Sequence, residues 1–354
     1  MFGRPFVSVL GGFTFLTILT GCAGGANGSS SMPLSAGVVQ PQAASRSVDA
    51  LTLQPPRSTS VLRPGSDVVS QPDRSAGFAQ PDAAAKAFLI VSDAGTDDVD
   101  VFTSVGKLTA TITGLSEPQG LSSDAAGDVY IANTGDSNIP VYKKDYKTLK
   151  ATLNDPNEYP AAVDVSPAGL VGVTNIISTS DGSGSVSFYA KDTTKPCVTV
   201  AGSAWSRVYF GAFDAAGNFY IDGENSSGKV LLGVVAGGCS ARSITTLKST
   251  IRIDFPGFVA VSPADKLIIG DDVTLYTFDL PVKGLLGPPI AKTILKDAGD
   301  LTALAFTASG KDLWTISSQA LEYAYPAGGS PVKRVSVAGL SEPIGLIVTP
   351  FAQP

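Results

Sequence analysis

Two distant stretches of the chain are nearly identical. Residues 114–121 read GLSEPQGL, and residues 339–346 read GLSEPIGL. Each is typical of the approach to the first strand of a β-repeat, but the second copy lies almost at the C-terminus. The strands that this last copy lacks are predicted upstream, at residues 87–113. A repeat divided between the two ends of a chain predicts a closed ring, because closure covers a sheet edge that would otherwise promote aggregation.

A tight turn between two apolar runs recurs every 42 to 48 residues. The third residue of every copy is Ala or Pro, and the fifth residue of the first five copies is Gly or Asp, which suits a hairpin that needs a positive φ. A period of this length, built from short strands, indicates propeller blades, and residues 86–354 accommodate six of them. The copies occupy residues 123–127, 165–169, 213–217, 261–265, 306–310 and 348–352.

Each period is predicted to form four short strands. In the second blade these are residues 120–123, 128–133, 139–142 and 149–153, whose apolar residues alternate or run continuously. No segment has a long 3.6-residue apolar period that would indicate a helix. The sequence therefore predicts an all-β, six-bladed β-propeller of four-stranded antiparallel blades, in which the N- and C-terminal strands share one blade.

A second signature follows the second strand of the first two blades. Residues 93–102 read DAGTDDVDVF and align without gaps on residues 133–142, NTGDSNIPVY. Together with the Pro before the inner strand and the Gly turn, this pattern resembles the NHL repeat, and more distantly the gluconolactonase-type propellers. The resemblance covers about three quarters of the chain. It implies a propeller fold and leaves the activity open.

The N-terminus has the pattern of an export signal. Residues 1–21 carry Arg4 and then a short apolar run, and Leu19-Thr20-Gly21-Cys22 resembles a bacterial lipobox. We expect Cys22 to be lipidated; the alternative is an ordinary signal peptide with a chance cysteine. Residues 22–85 are rich in Ser, Ala, Pro and Gln and are predicted to form a disordered tether ahead of a propeller at 86–354. The expected location is the bacterial cell envelope, on the outer membrane, its periplasmic side or the cell surface.

Composition excludes several kinds of chemistry and of partner. The 354 residues contain no His, which removes Ser-His-Asp and Cys-His catalysis and His-ligated zinc. The net charge of −6 argues against a nucleic-acid surface. The expected partners are the membrane, through the lipid on Cys22, and an unknown protein, glycan or small ligand on the propeller, which we expect to be a monomer.

Acidic and amide side chains are predicted to gather on one face of the ring. Loops that precede inner strands, and loops between second and third strands, share that face. Oxygen donors without thiol or imidazole suit Ca²⁺ or Mg²⁺, although the fold itself requires no cofactor. In the alternative interpretation these residues only end strands and stabilise turns. Further acidic residues such as Glu158 lie in the same loops, and the candidate ligands are Glu117, Asn133, Asn175, Asp222, Asp271 and Glu342.

Three further features have two interpretations each. Cys197 and Cys239 are 42 residues apart, about one period, and equivalent outer positions of neighbouring blades lie too far apart for a bond, so two thiols are favoured over a disulfide. Trp205 is expected to wedge between blades rather than to bind a sugar or peptide, and Trp314 to lie in the core. The Asp-rich loop at residues 93–100 lacks calcium-loop spacing and is expected to be solvated.

These observations predict an exported, membrane-anchored propeller that acts as a non-catalytic binding or protein-interaction module. One alternative is a divalent-metal-dependent hydrolase, similar to lactonases or esterases, at the acidic face. Another is an envelope assembly factor. If there is catalysis, carboxylates and a metal ion must carry it, because the chain has no imidazole.

Overall fold

The computed structural model describes residues 87–282 and 284–350, which form six sheets whose first four strands pair antiparallel. Each sheet is one blade of a β-propeller, and the described residues contain no α-helix, only two short 3-10 turns at Thr134–Asp136 and Gly238–Ser240. The predicted fold class is therefore confirmed. The predicted signal sequence, Cys22 and the tether lie outside the described residues. Within the described part of the chain, no helix has the length and apolar character that a membrane span requires.

The first three blades follow the repeat closely, and their strands are given from the ring axis outwards. Blade 1 contains β25 (Pro343–Val348), β1 (Phe88–Asp93), β2 (Asp98–Thr103) and β3 (Leu108–Ile112). Blade 2 contains β4 (Pro118–Ser123), β5 (Val129–Asn133), β6 (Asn138–Tyr142) and β7 (Leu149–Asn154). Blade 3 contains β8 (Glu158–Val165), β9 (Val171–Ser178), β10 (Ser185–Tyr189) and β11 (Val198–Ala201).

The other three blades include one irregularity. Blade 4 contains β12 (Arg207–Phe213), β13 (Phe219–Glu224), β14 (Val230–Val235), β15 (Thr245–Ser249) and a fifth strand, β19 (Leu285–Leu286). Blade 5 contains β16 (Val259–Val261), β17 (Lys266–Asp271), β18 (Thr274–Asp279) and β20 (Ala291–Ile294). Blade 6 contains β21 (Leu304–Phe306), β22 (Asp312–Ile316), β23 (Ala320–Ala324) and β24 (Lys333–Val335).

The fifth strand of blade 4 comes from the next blade. The chain between β18 and β20 leaves blade 5, and Leu285 and Leu286 pair in parallel with Lys248 and Ser249 at the end of β15. Leu286 is fully buried, whereas Leu285 is 58% exposed. This excursion ties the outer edges of blades 4 and 5 together, and the repeat pattern gave no sign of it.

Antiparallel pairing gives the ring two distinct faces. Inner strands start, and second strands end, at what we name the upper face, so the inner-strand loops and the loops between second and third strands lie there. The turns between first and second strands, and the loops between third and fourth strands, lie at the opposite, lower face.

Blade 1 closes the ring from both ends of the propeller. Strand β25 pairs with β1 over a register that runs from Leu89 opposite Val348 to Asp93 opposite Pro343. Two further hydrogen bonds join Thr349 to Phe88. The N–H of Thr349 donates to the carbonyl of Phe88 (3.0 Å), and the N–H of Phe88 donates to the hydroxyl of Thr349 (2.9 Å). The predicted closure is therefore observed, and it leaves neither β1 nor β25 as an open edge.

The recurring turn adopts the predicted conformation in all five described copies. In each, the fifth residue donates its N–H to the carbonyl of the second over 2.8 to 3.0 Å and has a positive φ between 53° and 83°. Gly or Asp tolerates this left-handed geometry, which explains the composition of the motif. These fifth residues are Gly127, Gly169, Gly217, Asp265 and Gly310.

Apolar side chains fill the seams between blades. Trp205 is 1% exposed and packs with Phe188 of blade 3 and Val208 of blade 4, which confirms the predicted wedge. Gly202 and Gly233 make room for its indole, since a Cβ at either would lie within 2.8 Å of a ring carbon. Trp314 is also buried, as predicted.

The two cysteines form a disulfide, so the preference for two thiols was wrong. The Cα atoms of Cys197 and Cys239 lie 5.3 Å apart. A separation of about one period predicts that both residues lie at equivalent outer positions of neighbouring blades. Instead Cys197 ends the loop that precedes β11, and Cys239 lies in the 3-10 turn Gly238–Ser240 that follows β14. These two lower-face loops converge, and the bond joins blade 3 to blade 4.

Candidate functional site

Two of the six sequence-predicted ligands, Asn133 and Asp271, act as structural caps, and Asp93 of blade 1 does the same. In blades 1, 2 and 5 the residue that ends the second strand accepts backbone N–H groups from the inner-strand loop of its own blade. This is the turn-stabilising interpretation. In blade 1, Asp93 accepts the N–H groups of Ser341 (2.6 Å) and Glu342 (2.7 Å). In blade 2, Asn133 accepts the N–H of Ser116 (2.7 Å). In blade 5, Asp271 accepts the N–H groups of Asp254 (3.1 Å) and Phe255 (3.0 Å).

The acidic side chains of the Asp-rich loop of blade 1 are mostly buried, which corrects the prediction of a solvated loop. Asp93 is fully buried, and Asp98 and Asp100 are 8% and 3% exposed. Asp97 is half-buried and accepts the backbone N–H of Glu117 over 2.8 Å. These carboxylates stabilise backbone and hydroxyl groups instead of facing water.

Asp222 of blade 4 is buried in its own sheet. Its Oδ1 accepts the N–H of Phe210 over 2.9 Å, while no donor within the described residues reaches its Oδ2. Burial raises the pKa of Asp222 well above its usual range, and the charge of Glu224 adds to this. Asp222 is therefore a core residue that is screened from the upper face.

The six predicted ligands do not form one shared site. Glu117 is half-buried in the loop before β4, and Glu342 is exposed in the loop before β25. Together with the four candidates on second strands, they are distributed over blades 1 to 5. Among the residues that the structure describes, no group of three or more acidic or thiol side chains is placed to hold a metal ion.

Most of the residues that line the channel along the ring axis are apolar. Residues of all six inner strands line a cavity of about 130 Å³ near the lower face, and Asp164 is the titratable residue among those that line it. Its carboxylate accepts the hydroxyl of Ser122 (2.9 Å) and the N–H of Phe213 (2.8 Å), which links the inner strands of blades 2, 3 and 4. Burial raises the pKa of Asp164 to about 6. Asp164 therefore holds the inner strands of three neighbouring blades together.

Blade 3 departs from the capping pattern. Asn175 occupies the capping position, yet its amide donates to Ser185 (3.0 Å) and Ser187 (3.1 Å) on the neighbouring strand β10. Ser185 donates onward to Glu158 over 2.8 Å, and Ser187 donates to Asp155 over 2.8 Å. We name these five residues the blade 3 network. All of them are at most 7% exposed.

Two carboxyl groups of the network have perturbed protonation. Burial raises the pKa of Asp155 to about 6, although the hydrogen bond from Ser187 opposes the rise. Burial also raises the pKa of Glu158 to about 7, with a contribution from the charge of Asp155 and opposition from Ser185. Two acidic groups thus share one low-dielectric region at the upper face.

The blade 3 network contains acceptors without donors. Oδ2 of Asp155 and Oδ1 of Asn175 are buried, and nothing in the described part of the chain hydrogen-bonds to either atom. An unsatisfied buried acceptor costs free energy, on the order of 1–3 kcal/mol. Carboxylate, amide and hydroxyl oxygens are the donor set that Ca²⁺ and other hard cations prefer.

A large cleft lies on the upper, outer side of blade 4. Its volume is about 810 Å³, and it runs between the β13–β14 hairpin and the segment that leads from blade 4 to blade 5. Apolar side chains such as Leu231 and Ile251 form part of its lining. Its cations are Lys229, Lys248 and Arg252.

A second, smaller cleft lies on the other side of the same hairpin. Its volume is about 380 Å³, and it lies between the β9–β10 hairpin of blade 3 and the loops of blade 4. The lining is small and polar, with Trp205 and Leu231 as its large residues; the polar members are Ser183, Ser203, Ser206, Asn225 and Ser226. Leu231 lines both clefts, so the two are adjacent.

Sequence reasoning found part of this arrangement. It assigned Glu158 and Asn175 to the same face, and the structure brings them together through Ser185. It missed Asp155, which lies within the sequence LNDPNEYP ahead of β8. The signal was present, because Asp155 and Glu158 are two acids three residues apart in an inner-strand loop.

Comparisons with known proteins identify the fold. No protein-family profile matches the chain, and no curated protein matches it. A protein of unknown function from Bacteroides caccae has a TM-score of 0.58 at 9% identity, over 75% of this chain and 99% of that chain. A functionally unknown protein from Desulfotomaculum acetoxidans has a TM-score of 0.50 at 12% identity, over 75% and 99%. One chain of a nidogen/laminin complex has a TM-score of 0.57 at 12% identity, over 76% and 100%.

Proposed function

We propose that this chain is an exported, membrane-anchored β-propeller that acts as a non-catalytic binding module. The observation that carries the proposal is the pair of adjacent clefts around the β13–β14 hairpin of blade 4. Their volumes are about 810 and 380 Å³, whereas the cavity on the ring axis has about 130 Å³ and lies near the lower face. The nidogen/laminin complex is a precedent for a chain of this fold in a protein–protein complex.

The larger cleft suits an acidic, partly apolar segment of a partner protein. Arg252 already pairs with Asp254, but Lys229 and Lys248 have no acidic partner within the described residues. On a chain with a net charge of −6, this local positive charge would attract carboxylates and orient them. The apolar lining would then bury the side chains between the carboxylates.

A labelled peptide tests this assignment directly. We expect a fluorescein-labelled octapeptide of alternating Glu and Leu to bind the full chain, as measured by fluorescence anisotropy, and to bind more weakly at high salt. The corresponding peptide of Lys and Leu should not bind. The double variant Lys229→Glu/Lys248→Glu should weaken binding at least about tenfold, because it reverses the charge at the cleft.

A charge-matched variant on the opposite face is the control. Lys107 and Lys311 are both exposed and lie at lower-face turns of blades 1 and 6. Lys107→Glu/Lys311→Glu changes the net charge by the same amount and should leave binding unchanged. Equal loss in both double variants would mean that only the overall charge matters, and the cleft assignment would be wrong.

Export and anchoring are proposed from the sequence. The lipobox places Cys22 directly after the apolar run, and a lipid there would hold the propeller at the membrane through residues 22–85. In the native bacterium, Cys22→Ser should move the protein from the membrane fraction to the soluble fraction, whereas Ser29→Ala should not. An unchanged distribution of Cys22→Ser would overturn the anchoring.

The alternative function is a divalent-metal-dependent hydrolase similar to lactonases or esterases. Its support is the blade 3 network, whose carboxyl, amide and hydroxyl oxygens are of the kind that hard cations prefer. If it is correct, Ca²⁺ or Mg²⁺ should permit turnover of a simple lactone, and Glu158→Gln should abolish that turnover. Turnover that survives in Glu158→Gln would exclude this network as the site.

A further inference from the structure

We propose that the blade 3 network is a binding site for Ca²⁺, held by the carboxylates of Asp155 and Glu158 and by the amide oxygen of Asn175. The observation that points to a ligand is the pair of buried acceptors, Oδ2 of Asp155 and Oδ1 of Asn175, that no described donor reaches. Asp155 and Asn175 are 1% and 0% exposed. The proposed site lies within one blade, away from the ring axis.

The donors of the network are already committed. The amide of Asn175 has two N–H hydrogens, and these go to Ser185 and Ser187. Each of those serines has one hydroxyl hydrogen, and these go to Glu158 and Asp155. The unsatisfied oxygens therefore cannot be satisfied by a rearrangement among these five residues that keeps the present bonds.

Charge also favours a cation over further protein contacts. When both are ionised, Asp155 and Glu158 bring two negative charges into a region with little solvent, and no described lysine or arginine forms an ion pair with either. A divalent cation neutralises both charges. Ca²⁺ is preferred over Mg²⁺, because it accepts six to eight oxygens in flexible geometry, whereas Mg²⁺ requires a near-ideal octahedron and retains its waters.

The position of the site suggests what the ion does. Asp155 lies in the loop before β8, and Glu158 is the first residue of that strand. Asn175 lies in β9, and the two serines lie in β10. A bound ion would fasten these elements together. They lead into the β9–β10 hairpin, whose Gly182 and Ser183 line the smaller cleft of blade 4. Ca²⁺ would thus stabilise one wall of that cleft.

Thermal unfolding of the full chain tests the proposal. The protein is purified in detergent, stripped with EDTA, and measured with 1 mM CaCl₂, 1 mM MgCl₂ or neither. We expect CaCl₂ to raise the Tm by several degrees, MgCl₂ to raise it less, and Asp155→Asn and Glu158→Gln each to remove the shift. Asp164→Asn, which alters a half-buried carboxyl whose two oxygens both have donors, should keep the full shift.

A spectroscopic readout covers variants that fold poorly. Tb³⁺ in place of Ca²⁺ should show luminescence sensitised by Tyr189, which lies beside Asp155, and CaCl₂ should displace it. Sensitised emission from the wild type that is lost in Glu158→Gln supports the site. Absence of both a Tm shift and displaceable Tb³⁺ emission in the wild type would overturn it, as would a shift that persists in Asp155→Asn and Glu158→Gln. The lysine variants of the peptide experiment leave this network intact, so the two proposals fail independently.

Discussion

Blades 1 and 3 use the same repeat position in opposite ways. At the end of the second strand of blade 1, Asp93 reaches back to the N–H groups of Ser341 and Glu342 and fixes the inner-strand loop. Asn175 of blade 3 turns to the third strand instead and leaves its acceptor oxygen without a donor. Blades 2 and 5 follow blade 1.

The physical reason lies in the loop that would have been capped. In blade 3 the N–H of Asp155 donates to the carbonyl of Ser137 in blade 2 over 3.0 Å, and the N–H of Glu158 donates to Asp155 over 3.2 Å. Because neighbouring backbone already satisfies this loop, the capping residue is released for another role. Residues at equivalent positions of the repeat can therefore have different roles in different blades.

Blades 3 and 4 also differ from the other seams in having a covalent bond. The disulfide between Cys197 and Cys239 closes a segment with a sequence separation of 42 residues. Such a cross-link stabilises a protein by roughly 4 kcal/mol on the loop-entropy argument. We therefore expect Cys197→Ala/Cys239→Ala to lower the free energy of unfolding by about that amount, measured by urea denaturation at equilibrium.

The matched control is the wild type with and without reductant. Reduction should lower the stability of the wild type and leave the double variant unchanged. A wild type that loses no stability on reduction would show that the seam is held by packing alone.

Loss of the capping carboxylate is expected to have the next largest effect on the free energy of unfolding. Asp93→Ala removes three backbone hydrogen bonds to a buried carboxylate, from Gly95, Ser341 and Glu342, and we expect it to cost roughly 3 kcal/mol. Asn175→Ala, measured in EDTA, should cost about 1 kcal/mol, because Ser185 and Ser187 keep their carboxylate partners. Urea denaturation of both variants measures the difference. An equal loss of unfolding free energy in the two variants would mean that Asp93 and Asn175 do not differ in their structural role.

Much of the fold was predictable because it rests on local chemistry. The split repeat predicted the pairing of β25 with β1, and the Gly or Asp at the fifth turn position predicted positive φ. Long-range side-chain geometry was not predictable. The convergence of Cys197 with Cys239, the strand that blade 5 adds to blade 4, and the link from Asp155 to Ser187 depend on where loops of different blades or strands meet.

The smallest predicted effect concerns pH. The folded-state pKa of Asp164 is raised from 3.8 to about 6, so the folded protein retains this proton more strongly than the unfolded chain. The stability from this group is present in full below pH 4 and is lost as the pH rises through about 6. The Tm of Asp164→Asn should therefore fall less between pH 4 and pH 7 than that of the wild type, by a few degrees in calorimetry.

The slope, and not the absolute Tm, is the quantity to compare. Asp164→Asn also replaces one carboxylate oxygen by an NH2 group that cannot accept a hydrogen bond, and this shifts the Tm at every pH. Parallel curves for the two proteins would mean that Asp164 titrates normally in the folded state, in conflict with its burial between Ser122 and Phe213.

The most direct test of the contrast between blades is an anomalous difference map from crystals of the full chain soaked in TbCl₃. The account predicts a strong peak in blade 3, within coordination distance of Asp155, Glu158 and Asn175, and no peak at the capped positions Asp93 and Asp271. A map that is flat at blade 3, or that has its strong peak at a capped position, would contradict it.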